Sequence, residues 1–564
     1  MRLLIAIGMF MLSLVLMLAG LAERTIWAPP VANELTLKFD AGNAYVHIPN
    51  SVLTTYPGKA SVRVSGAPEA FVATGRDSDI TAWIGESAHT SFSLNAKRTK
   101  LIAKSEFGQG ANFSPVHSDL WRSESFAPKR TSLAINPVDS AGVIIASDGF
   151  LAAPNRVTIY WPTEYDLTPS NILLLSGFVV LLASLIINGL AYRDIRNRRG
   201  PRRKVPKAPQ GPRSRVKTPK VAPARGRRAA RKVAVAVPAG ILSIALLTGC
   251  STGATQVEPT PTATAAIADP PVITEGQLAR ILGDVADVAD EADTSLSAAE
   301  LAVRFVGPAY DQRSAHYILK KRNKKALALP KIVATPVTFN LPAASTLWPR
   351  SVMVVTDEAG EDKLPQMIVL QQASPRAKYL VWYTIGLLPG ASIPPVVSPE
   401  IGAIPVAPDA PYLSVAPNTI PNAYGDVIDN GAGSKFANLF DFNDDEFYKQ
   451  VSSSQEKQQT TLKNGKITFA HLLGSKNVIS LATNDGGALV AVSMIDAYRI
   501  RPTKAGSAVQ VAGDEAFMLG ANGSVKGVLS KYGDMLLMYV PPTGSSELAR
   551  IIGVTQGLLS VVTL

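Results

Sequence analysis

Five histidines, one cysteine and a few acidic clusters are the residues of this 564-residue chain whose types could do chemistry. A histidine acts as base or metal ligand when a carboxylate or a second imidazole stands at ligand spacing. His47, His89, His117, His316 and His471 have no such neighbour in sequence, and there is no HExxH or Cys/His cluster. His316 falls among Tyr310, Tyr317 and Ile318 on an expected helix, where packing or surface accounts for it. G-x-S-x-G, the P-loop and G-x-G-x-x-G are all missing. Ser454-Gln-Glu-Lys457 fits the SxxK pattern of acylating serine enzymes, but its SDN and KTG companions are lacking. It lies in the polar run SSSQEKQQTT and reads as a solvated helix end. The acidic run from Asp441 to Glu446 has no glycine at the sixth position of a calcium loop, and Ser452 stands at the twelfth. An acidic helix N-terminus, where carboxylates complement the helix dipole, explains it better. No catalytic residue, metal or cofactor is expected from these patterns.

The remaining reactive group is the thiol of Cys250, and its setting is a membrane pattern. Two charge-free runs, Leu3–Ala22 and Asn171–Tyr192, are each long enough as helices to cross a bilayer of about 30 Å. Trp161, Tyr165 and Tyr192 flank the second where interfacial aromatics sit. A third run, Val233–Gly249, is shorter and contains Pro238. Between the second and third lie 17 Lys/Arg and one acid, over residues 193–232. The whole chain has 56 bases and 44 acids, so the rest carries 39 against 43. The net charge of +12 therefore belongs to one loop. The positive-inside rule places residues 193–232 in the cytoplasm, and residues 23–170 and 251–564 outside. The loop has Pro and Ala spacers but no aromatic for base stacking, so nucleic acid is not the expected partner. It reads as a disordered topogenic segment beside anionic lipid.

GRRAARK, the third apolar run and Leu247-Thr248-Gly249-Cys250 together resemble a bacterial lipoprotein signal peptide with its lipobox. The resemblance implies a diacylglyceryl lipid on Cys250 and cleavage by signal peptidase II just before it. The pattern departs from that family in lying mid-chain. The Thr/Pro-rich stretch 251–272 that follows reads as an extended tether.

The outer segments must supply the fold. Short alternating stretches at 34–39, 61–65, 80–85, 90–94, 131–136, 142–147 and 156–161, separated by turn formers, predict an antiparallel β-sandwich over 23–167. From Thr274-Glu-Gly-Gln277, a capping box, the pattern turns helical, with Ser297 opening a second helix and 309–321 a third. Strands are expected at 331–340, 351–357, 364–373 and 378–387. A Pro-rich linker at 389–420 separates this first α+β unit (273–388) from a second (421–564). There, helices at 423–431, 434–440 and 444–462 precede strands at 466–473, 477–483, 488–500, 507–511 and 534–540. Each unit contains an apolar strand, an acidic Gly-containing turn and a long apolar strand, which reads as a degenerate duplication.

Helices followed by a long antiparallel sheet resemble the NTF2-like layout. The whole arrangement resembles uncharacterised actinobacterial membrane lipoproteins with an internal lipobox and tandem NTF2-like domains. That resemblance implies a cell-envelope location and no known activity. An apolar or glycan ligand could then enter a pocket lined by Trp348, Trp382, Phe436, Phe440, Phe447 and Tyr448, although core packing explains the same residues. The expected function is a non-enzymatic binding or scaffold protein for an envelope glycan, lipid or membrane protein. An envelope glycan- or lipid-processing transferase and a transmembrane sensor are the alternatives.

Overall fold

The computed structural model describes residues 2–28, 32–40, 42–136, 140–163, 166–198 and 269–564, apart from 359 and 361–362. Cys250, its lipobox, the third apolar run and most of the tether and of the basic loop lie outside the described residues, while the end of the expected tether is packed, with Val272 buried and Pro271 bridged to Ala344.

The chain opens with helix α1 (Arg2–Thr25). The β domain that follows contains β1 (Ala32–Lys38), β2 (Tyr45–Ile48), the short helix α2 (Asn50–Leu53), β3 (Ala60–Arg76) and helix α3 (Asp77–Ile84). It continues with β4 (His89–Leu94), β5 (Leu101–Glu106), β6 (Ser123–Ile135), β7 (Ala141–Ala146) and β8 (Arg156–Pro162). These strands form one sheet in the order β1-β8-β3-β7-β2-β4-β5, with β6 also paired to β3. The pairing of β3 with β6 shifts register between Ser65 and Glu69, and such irregularities bend strands. Phe39, just past β1, meets Phe92 on β4 edge-to-face at 5.2 Å. The sheet therefore curls over a core containing Val46, Val62, Val157 and Trp161, and its other face buries Tyr45, Phe71 and Ile144 with Trp83 and Trp121. The expected sandwich is one mixed sheet, because β2 and β4 pair in parallel. Residues 80–85, expected as a strand, are mostly helix α3 instead. Ile80, Trp83 and Ile84 are all buried at i, i+3 and i+4, a spacing that six residues of alternation did not expose.

Helix α4 (Thr168–Arg198) runs antiparallel to α1: Ser184 bonds the Ala6 carbonyl at 2.8 Å, and Arg24 bonds Ser170 at 3.0 Å. A methyl added at Gly177 would lie 2.7 Å from Met17, so a small residue sets the approach of the two helices. Both helices are long and apolar enough to span a membrane.

The C-terminal region begins with α5 (Glu275–Ser295), α6 (Ala298–Leu301) and α7 (Gly307–Arg322). The capping box on α5 is formed: Thr274 Oγ1 accepts from the Gln277 N–H, and Gln277 Oε1 accepts from the Thr274 N–H. Strands β9 (Val337–Pro342), β10 (Arg350–Thr356), β11 (Gln366–Gln372) and β12 (Tyr379–Gly386) make an antiparallel meander. Helices α8 (Ile420–Asn430) and α9 (Glu446–Thr461) then precede β13 (Gly465–Leu473), β14 (Ile479–Ala482) and β15 (Ala488–Pro502). After the two-residue pair β16 (Val509–Gln510) and β17 (Gly523–Ser524), with α10 (Gly513–Leu519) between them, come β18 (Val528–Val540) and β19 (Arg550–Thr563). The main sheet runs β13-β15-β18-β19, with β14 paired to β15.

The two α+β units share a core. Leu481, Leu489, Met535 and Leu537 belong to the same buried cluster as Leu278, Ile281, Val352 and Ile368. The Pro-rich stretch packs as well: Val406, Ala410 and Leu413 are buried, and bridges join Ala403 to Ala343 and Pro405 to Leu481. Of the helices expected before β13, residues 434–440 form only a 3-10 turn at Ala437–Leu439.

Candidate functional site

The largest concentration of buried charge lies where the β domain meets the C-terminal region. Arg304, just beyond α6, holds Asp119 of the β domain in a two-pronged pair at 2.6 and 3.1 Å. Both side chains are 2% exposed. Arg304 also reaches the half-exposed Asp284 at 2.6 Å, and Asp119 accepts from the Tyr379 N–H at 2.7 Å. At the same boundary, Arg350 pairs with Asp79 of α3 at 2.7 Å and stacks on Trp348 at 3.7 Å. A third arginine, Arg376, donates to the carbonyls of Trp83 and Ile84, each at 2.7 Å. Those carbonyls belong to the last turn of α3, which is short of intrahelical donors and attracts cations. From α5, Gln277 donates to Leu120 O and Arg280 to Trp121 O, at 2.9 and 2.8 Å. Planar guanidinium forks suit such fixed carboxylate and carbonyl targets. Beside them a cleft of ≈ 200 Å³ is lined by Trp83, Phe113, His117, Arg376 and Lys378.

A second polar cluster is internal to the C-terminal region. The β13–β15 register sets His471 opposite Asp496, and the imidazole Nδ1 meets Asp496 at 2.5 Å. Its Nε2 faces Asp429 of α8 at 3.2 Å. Burial opposes the charged ring, but the hydrogen bonds its N–H groups donate to Asp429 and Asp496 outweigh it and push His471 up to about 9. The ring is thus an imidazolium at neutral pH with both nitrogens engaged, which leaves no lone pair for a substrate or metal. Asp534 on β18 is fully buried, and burial together with the nearby Asp496 charge pushes its carboxyl well up. Among the described residues no group of three or more His, Cys, Asp or Glu side chains is arranged to hold a metal ion.

The expected pocket residues fall into separate places. Trp348 packs against the β-domain cluster of Trp83 and Trp121, and Trp382 covers Gly307 at the start of α7. Phe436, Phe440, Phe447 and Tyr448 gather around α8 and α9 in another core. A cavity of ≈ 180 Å³ lies near the start of α7, lined by Gly307, Asp311, Gln312, Ser475, Ser493 and Gly533, with none of those six aromatic residues. Burial pushes the Asp311 carboxyl up. Asp445 caps α9 by accepting from the Tyr448 N–H at 3.0 Å, as the acidic run implied. Ser454 and Lys457 both sit exposed on that helix.

Residues 269–561 match DUF8094, a domain of unknown function, over just over half of the chain. The chain belongs to that family. No curated protein and no solved structure matches it at a significant level. The DUF8094 domain contains both α+β units and supplies Arg304, Arg350 and Arg376, while the β domain supplies their acceptors. None of these boundary residues was singled out by the sequence. The signal available was an arginine set beside apolar residues: Arg304 follows Leu301-Ala-Val303, and Arg350 precedes SVMVV. A charge in such a setting implies a buried partner.

Proposed function

We propose that this protein is a membrane-anchored envelope lipoprotein acting as a non-enzymatic scaffold, its β domain and DUF8094 domain forming one platform for a glycan, lipid or membrane-protein partner. The observation that carries the reading is the buried Asp119–Arg304 pair, which joins residues 185 positions apart. A misaligned boundary would strand one of these charges without its partner, so the pair fixes how the two domains meet. Two membrane-length helices and the lipobox at Cys250 support the anchoring. In this reading Cys250 carries a diacylglyceryl group, and the NTF2-like layout duplicated in the DUF8094 domain offers the outer surface.

Cleavage before Cys250 would separate the two domains covalently, and the buried boundary would keep them together. A chain tagged differently at each end, expressed with and without a signal peptidase II inhibitor, tests this. The expected result is a C-terminal fragment of roughly 33 kDa that shifts to full length on inhibition and carries the N-terminal fragment through purification. Full-length chain in both lanes removes the lipoprotein reading. Fragments that part in mild detergent remove the single platform.

A further inference from the structure

Arg76 ends β3, Arg350 opens β10 and Tyr379 opens β12; all three are buried where the β domain meets the DUF8094 domain, at 7%, 0% and 2% exposed. Four of their donor atoms have no hydrogen-bond partner among the described residues: Arg76 Nη1, Arg350 Nε and Nη1, and the Tyr379 hydroxyl. The groups lie within electrostatic reach of one another. Arg76 feels Asp79, Arg350, Arg122 and Tyr379, and Tyr379 feels Arg350, Asp79, Arg76 and Asp119. Asp79 is already bonded to Arg350 Nη2, and Asp119 is taken up by Arg304 and the Tyr379 N–H. Around Arg76, then, three guanidinium groups face the single carboxyl of Asp79.

A buried donor left without an acceptor keeps its full desolvation cost, and the cost is higher when the donor is charged. Four of them amount to a large share of a domain's whole stability. Water could accept these bonds but would leave the excess positive charge uncompensated. An anion meets both demands. Every unpartnered group here is a donor, which excludes a cation, and the neighbouring Asp79 carboxylate disfavours a multiply charged ligand. Trp348 stacks on the Arg350 guanidinium at 3.7 Å and covers one face of it.

We propose that Arg76, Arg350 and Tyr379 together bind a small monovalent inorganic anion of the chloride class at the boundary between the β domain and the DUF8094 domain. Ligands come from both domains, so the ion fastens one to the other alongside Asp119–Arg304. Burial lowers the tendency of Arg76 to stay charged, Asp79 opposes that and Arg350 adds to it; a bound anion restores the balance.

The test is thermal unfolding of the full chain in detergent, in sodium chloride against sodium gluconate at matched ionic strength. An ion that binds only the folded state raises the midpoint with the logarithm of its concentration. For a folded unit of about 430 residues each tenfold rise in chloride above Kd adds about 1–2 °C. Tyr379→Phe, which removes one donor and keeps the ring, should shift the chloride response to several-fold higher concentration. Arg76→Met should abolish it. Identical midpoints in the two salts at every concentration overturn the proposal. A chloride response undiminished in Tyr379→Phe, which folds whether or not Arg76→Met does, places the ion elsewhere and overturns it equally.

Discussion

Removing the Asp119 carboxyl is the sharpest probe of whether the β domain and the DUF8094 domain are one folded unit. Asp119→Ala leaves Arg304, 2% exposed, with the half-exposed Asp284 and the Tyr379 carbonyl at 3.3 Å as its remaining partners. It also strips the Tyr379 N–H of its acceptor. Breaking a buried pair in this way costs about 3–5 kcal/mol. An unfolding entropy of about 2.1 cal/mol/K per residue gives a unit of about 430 residues roughly 0.9 kcal/mol/K, so the midpoint should fall by about 3–5 °C. Asp284→Ala removes the exposed partner of the same arginine and should cost about 1 kcal/mol or less. The double variant Asp119→Ala/Arg304→Met removes both charges and should recover much of the loss. Thermal scans of the full chain measure the midpoints, and hydrogen exchange at the Tyr379 amide reports the boundary directly. A fall below about 1 °C in Asp119→Ala, with that amide still protected, refutes a buried cross-domain pair.

Three further outcomes follow from the C-terminal region. His471 is raised from 6.5 to about 9 in the folded state, so its stabilisation is complete below about 6.5 and is lost as pH rises through 9. Denaturant midpoints should fall across that window by an amount on the order of 3 kcal/mol, and His471→Gln should flatten the fall; a flat wild-type curve contradicts the assignment. Burial and the nearby Asp496 charge raise the Asp534 carboxyl on folding, which disfavours the folded state where the free carboxyl is ionised, so Asp534→Asn should stabilise the chain at neutral pH and do less in acid. Urea titrations at neutral and acid pH check this, and an Asp534→Asn effect equal at both denies the raised carboxyl. Gly307 has φ +57° with Trp382 only 2.6 Å from where a Cβ would stand, so Gly307→Ala should cost about 2–3 kcal/mol and lower the thermal midpoint.

Elements with a strong local signal were legible in the sequence. The capping box at Thr274, the helix at Gly307–Arg322 and strands β10, β11, β12 and β15 lie close to where periodicity and turn residues put them. The 14-residue strand β19 was missed: Gly553 and Gly557 interrupt its pattern, and only pairing with β18 fixes it. Helix α3 was misread for the opposite reason, since Ile80, Ala82 and Ile84 alternate while the buried Ile80, Trp83 and Ile84 follow helical spacing. The charged clusters were illegible because their partners are distant in sequence. His471 finds Asp496 only through the register of β13 on β15, and Asp119 finds Arg304 only when two domains meet.

The boundary also explains why arginine serves there. A purely apolar contact between Trp121, Trp83 and Trp348 would tolerate sliding, because hydrophobic burial has little directional preference. Three guanidinium groups fixed to Asp119, to Asp79 and to the C-terminal carbonyls of α3 define three separate points, which admit one orientation. Charge pairs buried this deeply add little net stability, since desolvation offsets most of the attraction, but misalignment strands a charge and is heavily penalised. Specific docking of this kind suits two domains that the chain separates by a long helix and a basic segment. It also predicts that the boundary should fail all at once, so that β-domain and DUF8094 probes report the same unfolding midpoint in thermal scans. Two resolved transitions, the β domain surviving the loss of DUF8094 structure, would break the link between these three arginines and a single platform.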